Sequence, residues 1–207
     1  MITMLKAGVV LLLLFNLQHA WASNLKLVEA ARSQVGVTHS YDPQYTKLAY
    51  PNGDVPLHKG VCTDVVIRAL RDAHQLDLQQ LVHEDMAKNF ALYPKKWGLK
   101  KTDKNIDHRR VPNLQVYFKR HWQSLGATQT AKDYQAGDIV TVMLPGNLPH
   151  IMLVSNKTEK NGPSRAPTPL VIHNIGRGAQ EEAALFAYPI TGHYRLPKKY
   201  LTEESST

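Results

Sequence analysis

The sequence predicts an α+β domain, because helical periodicity fills its first half and β-rich runs broken by Gly, Pro and Asn fill its second, without alternation between the two. In residues 24–35 the apolar positions recur at helical spacing and stop at Gly36, which marks a first helix. Tyr41-Asp42-Pro43-Gln44-Tyr45 and Tyr50-Pro51-Asn52-Gly53-Asp54-Val55-Pro56 are dense in turn formers and read as a loop. From Cys62 to Leu76 the residues Cys62, Val66, Ala69, Leu70, Ala73 and Leu76 follow a 3.6-residue period, with Arg68, Arg71, Asp72 and Gln75 mostly opposite. This second helix therefore begins close to Cys62. Helical stretches follow over residues 78–90 and 114–124, separated by the charged connector Asn105–Asn113. Gly137-Asp138 opens the β half, with strand-like runs over residues 139–144, 150–155 and 170–175 and a polar loop over 156–167.

The chain opens with Lys6, an apolar run from Ala7 to Phe15 and then Ala20-Trp21-Ala22, the pattern of a secretory signal peptide cleaved near Ala22. The run is broken by Asn16, Gln18 and His19, short of the roughly 20 residues a spanning helix needs, so stable membrane insertion is not expected. A periplasmic or secreted location follows. Residues 23–197 are expected to form one domain, and residues 198–207 a mobile tail.

The 25 Lys and Arg against 17 Asp and Glu give a net charge of +8. Export argues against nucleic acid as the partner of that excess. The excess suits the carboxylates of wall peptides or the phosphates of envelope polymers, or it simply favours solubility.

The chain holds a single cysteine. In an oxidising compartment it cannot form an internal disulfide, so Cys62 is either a small buried hydrophobe or a thiol kept for chemistry. Only about 3% of an ordinary thiol is ionised at pH 7. The start of a helix favours the thiolate, and so does a neighbouring histidine. Asp64, in the first turn, opposes a second negative charge.

Among the histidines, His39, His58, His74, His83, His121 and His193 read as surface residues. His150 and His173 stand on strand-like runs. Paired in a hairpin centred on the polar loop, they fall side by side on one sheet face, where one imidazole can orient the other. Two unrelated histidines at strand ends is the alternative.

The order of cysteine, histidine and polar residue resembles the papain-like clan, and within it the NlpC family of bacterial cell-wall peptidases. The base strand His150-Ile151-Met152-Leu153-Val154 after Gly137-Asp138, and then Val171-Ile172-His173-Asn174, carry this likeness. More closely, residues 60–70, 105–113 and 171–178 resemble an exported bacterial family named only as a domain of unknown function.

The resemblance implies a papain-like fold with the cysteine helix packed on an antiparallel sheet. It makes Cys62 the nucleophile, His150 the general base and then acid, and His173 the orienting group, with no metal or organic cofactor. It also implies an amide bond of peptidoglycan or its stem peptides as substrate. Val61 and Thr63-Asp64 replace the Asp and Ser-Gly usual around the NlpC cysteine, and Met152 replaces a small Gly.

Tyr50 and Asn174 are candidates for the oxyanion or for orienting the triad. Asp64, His108, Arg109 and Arg110 are candidates for substrate binding. Adjacent arginines can grip a carboxylate bidentately, or form an internally paired turn with Asp107. Ser23-Asn24-Leu25-Lys26 lacks the companion motifs of penicillin-recognising enzymes, Gly176-Arg177-Gly178 lacks a dinucleotide loop's third glycine, and no H-E-x-x-H is present. A non-catalytic envelope-binding module and a thiol acyltransferase are the rival readings.

Overall fold

The computed structural model of the chain describes residues 22–159 and 167–201. The expected signal segment, apart from residue 22, lies outside these, as do residues 160–166 of the polar loop and 202–207 of the tail. Four helices come first: α1 over residues 22–32, α2 over Cys62–His74, α3 over Leu78–Lys88 and α4 over Val111–His121. Two short strands, β1 (Ser40–Tyr41) and β2 (Lys59–Gly60), pair in parallel ahead of α2.

The main sheet contains β3 (Gln123–Leu125), β4 (Ile139–Leu144), β5 (Leu148–Glu159), β6 (Thr168–Asn174), β7 (Ala179–Glu182) and β8 (Ile190–Arg195). Its order is β3-β8-β4-β5-β6-β7, and every neighbouring pair is antiparallel. The α+β expectation is met, with the cysteine helix lying on the sheet.

Local chemistry sets the helix boundaries. Val61 is extended at φ −113°, and its N–H donates to Asp64 Oδ2 at 2.7 Å, closing the first turn of α2. Gln75 ends that helix in the left-handed region at φ 56°. Asp77 caps α3 by accepting from the Gln79 N–H at 3.0 Å. Pro112 opens α4, and Lys119, Arg120 and His121 close it, complementing the helix dipole at its C-terminal end.

Alternation along the strands builds two apolar layers. Ile139, Ile151, Leu153, Ile172 and Tyr194 pack with α1, α2 and α4, while Val140, Val142, Met152, Val154 and Val171 pack with Tyr134 and Leu185. Because both faces are covered, the strands read as continuous apolar runs rather than as alternating ones. The structure also runs β5 on to Glu159, into the stretch expected to be loop. Lys198–Tyr200 forms a 3₁₀ turn, and Tyr200 and Leu201 pack on the core, so the tail is ordered for its first residues.

The approach to Cys62 is held by one buried cation. Arg68, 3% exposed, forks onto Asp54 at 2.9 and 3.1 Å and donates to Val55 O, Lys59 O and Thr38 Oγ1. It thereby fixes the turn-rich loop that delivers the chain to the start of α2. A buried guanidinium is stable only when fully paired. Replacing it by Met removes the fork from Asp54, which keeps Arg71 at 3.5 Å, and deprives three further acceptors of a donor, so Arg68→Met should lower the unfolding free energy by about 3 kcal/mol, read from urea denaturation. Arg68→Lys should restore little, since an ammonium cannot reproduce the fork.

Candidate active site

The ladder between β5 and β6 pairs Leu153 with Ile172 and Val154 with Val171, and is not continued toward His150. Val154 exchanges backbone bonds with Gly137 and Asp138 on the β4 side, so the Ile151 N–H, three positions back, points the other way, into the opening. The N-terminus of α2 fills that opening. There the Cys62 sulfur meets the Ile151 amide, with the Thr63 amide and the Tyr41 hydroxyl as its other hydrogen-bonding neighbours.

Cys62 is 5% exposed. Burial pushes its thiol up to about 11, the negative charge of Asp64 adds to the rise, and the two amides and Tyr41 oppose it without prevailing. The lowered thiol expected from the helix start is thus corrected, since desolvation outweighs the dipole.

His150 and His173 are 2% and 1% exposed. His150 Nε2 lies 2.8 Å from His173 Nδ1, with ring centres 5.0 Å apart and planes at 68°. The pairing register is offset by two positions from the one expected, so extending it brings His173 level with Met152 rather than His150. An offset of two preserves the face, and the rings still meet diagonally. His173 Nε2 in turn lies 2.9 Å from Glu182 Oε1, and Arg177 holds the other oxygen at 2.7 Å. Burial, and the neighbouring His173, depress His150 to about 3, and burial lowers His173 too. At rest, therefore, the thiol and both imidazoles are neutral. The thiol and the His150 ring are not hydrogen-bonded to each other.

Several expected roles change. Tyr50 sits away from the sulfur, its ring edge-on to His83 at 5.4 Å with Lys104 over its face; the tyrosine at the thiol is Tyr41. Asn174 is a brace, donating to Gly60 O at 3.1 Å and Ser40 O at 3.3 Å and accepting from the Gly176 N–H. Asp64 and Arg109, both buried, form a fork at 2.9 and 2.8 Å, so neither is free for substrate. His108 is 1% exposed and held near 3 by burial.

Arg110 alone of that cluster faces the cleft with a usable charge. It lies 4.1 Å from the Trp97 ring centre and 3.7 Å from Asp107, a carboxyl that burial pushes up to about 6. His193, expected at the surface, is 1% exposed and bonded to Asp138 at 2.7 Å.

Beside the sulfur opens a cleft of about 250 Å³ whose walls include Tyr41, Cys62, Lys96, Trp97, Arg110 and Pro149. The charged side chains that line it, Lys96, Arg109 and Arg110, are all cationic. Among the described residues, no three His, Cys, Asp or Glu side chains gather as a metal site, and no helix is long and apolar enough to cross a membrane. Sequence reasoning missed Tyr41, Lys96, Trp97 and Glu182. The last was the most accessible to it, since an acidic residue on the strand after His173 is a natural imidazole partner.

A family model described as a domain of unknown function, DUF1287, matches residues 28–196, a span that contains every residue of this site. The uncharacterized protein YijF of Escherichia coli strain K12 is 57% identical over 173 residues, covering 84% of this chain and 82% of that one. The solved structure of NlpC1 from Trichomonas vaginalis is similar at a TM-score of 0.43 and 13% identity. That similarity covers 84% of this chain but only 44% of that protein's length.

Two outcomes follow from these placements. Arg109→Met should cost about 3 kcal/mol or more of stability by leaving Asp64 buried and unpaired, whereas Arg110→Met should cost about 1 kcal/mol, both measured by urea unfolding. Stability should also fall on acidification. His108 and His150 charge at their ordinary 6.5 when unfolded but only near 3 when folded, so each withdraws about 1.4 kcal/mol per pH unit through that window. Asp107, raised from 3.8 to about 6, returns one such increment between those values. Unfolding curves at pH 7.5 and pH 5 should show a net loss, reduced in His108→Gln.

Proposed function

The chain belongs to the DUF1287 family, and from that premise we propose that it is an exported cysteine hydrolase that cleaves an amide bond of peptidoglycan. The observation that carries this reading is the Cys62 sulfur at a helix start, facing the Ile151 amide one residue from a hydrogen-bonded pair of buried imidazoles. A thiol kept only for packing has no use for such neighbours.

In the proposed reaction the thiol proton passes to His150 as sulfur attacks the carbonyl carbon. The concerted course suits a site where neither group is charged at rest. The Cys62 N–H, at the first turn of α2, and the Tyr41 hydroxyl are the donors for the developing oxyanion. His150 then protonates the leaving amine, and the C–N bond breaks to give a thioester. Water, deprotonated by His150, adds to the thioester and releases the acid and the free thiol. Lys96 and Arg110, which line the cleft together with Trp97, suit a substrate that carries a carboxylate close to the scissile bond, as wall stem peptides do.

A second reading is favoured by one observation: the thiol is 5% exposed and pushed up to about 11, as in a structural cysteine. On that reading the cleft binds a wall peptide without cutting it.

Incubation of the mature protein with purified peptidoglycan separates the two. Wild type should release fragments with new amino and carboxyl ends, and Cys62→Ala should lose about a thousandfold or more in rate. Full retention of pelleted wall by both proteins without product would overturn hydrolysis and support the binding module. Transfer of the acyl group to an added amine instead of water would identify an acyltransferase.

A further inference from the structure

We propose that Glu182 is a positioning residue which locks His150 and His173 into the one tautomer pair that leaves His150 Nδ1 free to take the thiol proton. This rests on the hydrolase reading and deepens it. The reasoning is an accounting of ring protons. An ionised carboxylate only accepts, so the His173 Nε2 that lies 2.9 Å from Glu182 Oε1 must carry a hydrogen. A neutral imidazole has one N–H, so His173 Nδ1 is bare and accepts. The atom facing it at 2.8 Å, His150 Nε2, must then be the donor. With its single hydrogen placed there, His150 keeps a bare Nδ1. Both rings are buried, so their protein partners set this order.

Without the carboxylate the reverse arrangement is open. His173 Nδ1 then donates to His150 Nε2, and His150 carries its hydrogen on Nδ1, where it cannot accept a proton. The His150–His173 bond is equally good either way, so nothing within the pair chooses between the two states. Glu182 chooses, and its geometry is built to do so. Val171 pairs with Glu182 and His173 with Gln180, which puts Glu182 on the same sheet face as His173 and one step along. Arg177 occupies Oε2 and leaves Oε1 for the ring. The carboxylate also stabilises the imidazolium that forms when the thiol ionises. The charged and titratable groups facing the relay are His150 from β5, Glu182 from β7 and Arg177 from the turn between β6 and β7. Tyr41 and Asp64 face the sulfur.

The test combines ¹⁵N NMR of histidine-labelled full-length mature protein, which reads the tautomer of each ring, with the pH dependence of Cys62 alkylation by iodoacetamide. Wild type should show Nε2–H on both rings. Glu182→Ala should populate Nδ1–H on both and slow alkylation at neutral pH about tenfold, the equivalent of one unit of lost imidazole basicity. Glu182→Gln, which keeps a neutral acceptor, should fall between. The Glu182 side chain is 31% exposed, so folding should survive, and superimposable urea curves check this.

Unchanged tautomers in Glu182→Ala would overturn the proposal. So would shifted tautomers with unchanged alkylation in a protein whose alkylation slows in His150→Ala. Alkylation indifferent to His150→Ala is the separate outcome that overturns the hydrolase reading itself, and with it any role for Glu182 in that chemistry.

Discussion

The site depends on the Asp64 carboxylate. Its two oxygens accept from the Val61 N–H and from both arms of the Arg109 fork, and it is 3% exposed. A buried charge of this kind is tolerated only because it is paired and both oxygens are hydrogen-bonded. The consequence is mechanical: the start of α2 and the turn Asp107–Arg109, 45 residues on, are fastened to the same group. The Thr63 hydroxyl adds a bond to Arg109 O. Between those fixed walls the Cys62 side chain faces the opening in the sheet, and Arg110 is carried to the rim of the cleft. The same charge stands two residues from Cys62 and raises its thiol, so the residue that positions the cysteine also suppresses its ionisation.

Burial acts on both partners in one direction. It disfavours the thiolate and the imidazolium alike, so the charged pair found in open thiol sites is not the resting state here. On the proposed hydrolase reading, such a cleft becomes reactive only as a substrate carbonyl offers somewhere for the sulfur's electron pair to go. The Ile151 amide is available because the β5–β6 ladder stops at Leu153 and Ile172. Had that ladder continued, the amide would be spent on β6 and α2 would have no place to enter.

Much of this was legible from the sequence, for reasons that are local. Helix period and turn formers located α2 and the strands, a lone cysteine at a helix start attracted notice, and His150 and His173 stood out by lying in apolar runs. What was hidden is tertiary. Asp64 and Arg109 carry complementary charges, but nothing in their spacing says that they meet. Tyr50 was the nearer tyrosine to Cys62 along the chain, yet the β1–β2 pairing delivers Tyr41 opposite Gly60, next to the cysteine helix. The hairpin register was misjudged by two residues because the loop length seen in sequence does not reveal where the ladder begins. The tight turn after β6 does leave a trace: Gly178 has φ +89°, and a Cβ there would strike Thr38 O.

Among the described residues two buried histidines, His193 and His173, each meet a carboxylate, and the two pairs differ in what lies beyond the second nitrogen. His193 bonds to Asp138 at 2.7 Å, and the same carboxylate takes the Arg195 fork at 2.7 and 2.8 Å. The far nitrogen of His193, Nδ1, has no partner, and its ring is stacked on Tyr134 at 4.3 Å, so the pair ends in the apolar layer. A proton on that ring has nowhere to go, and the pair ties β4 to β8. The far nitrogen of His173 instead meets a second imidazole, which precedes the amide at the sulfur. The same two residue types thus end in an apolar layer in one place and in a second imidazole in the other, and on the proposed reading that difference separates a clamp from a relay.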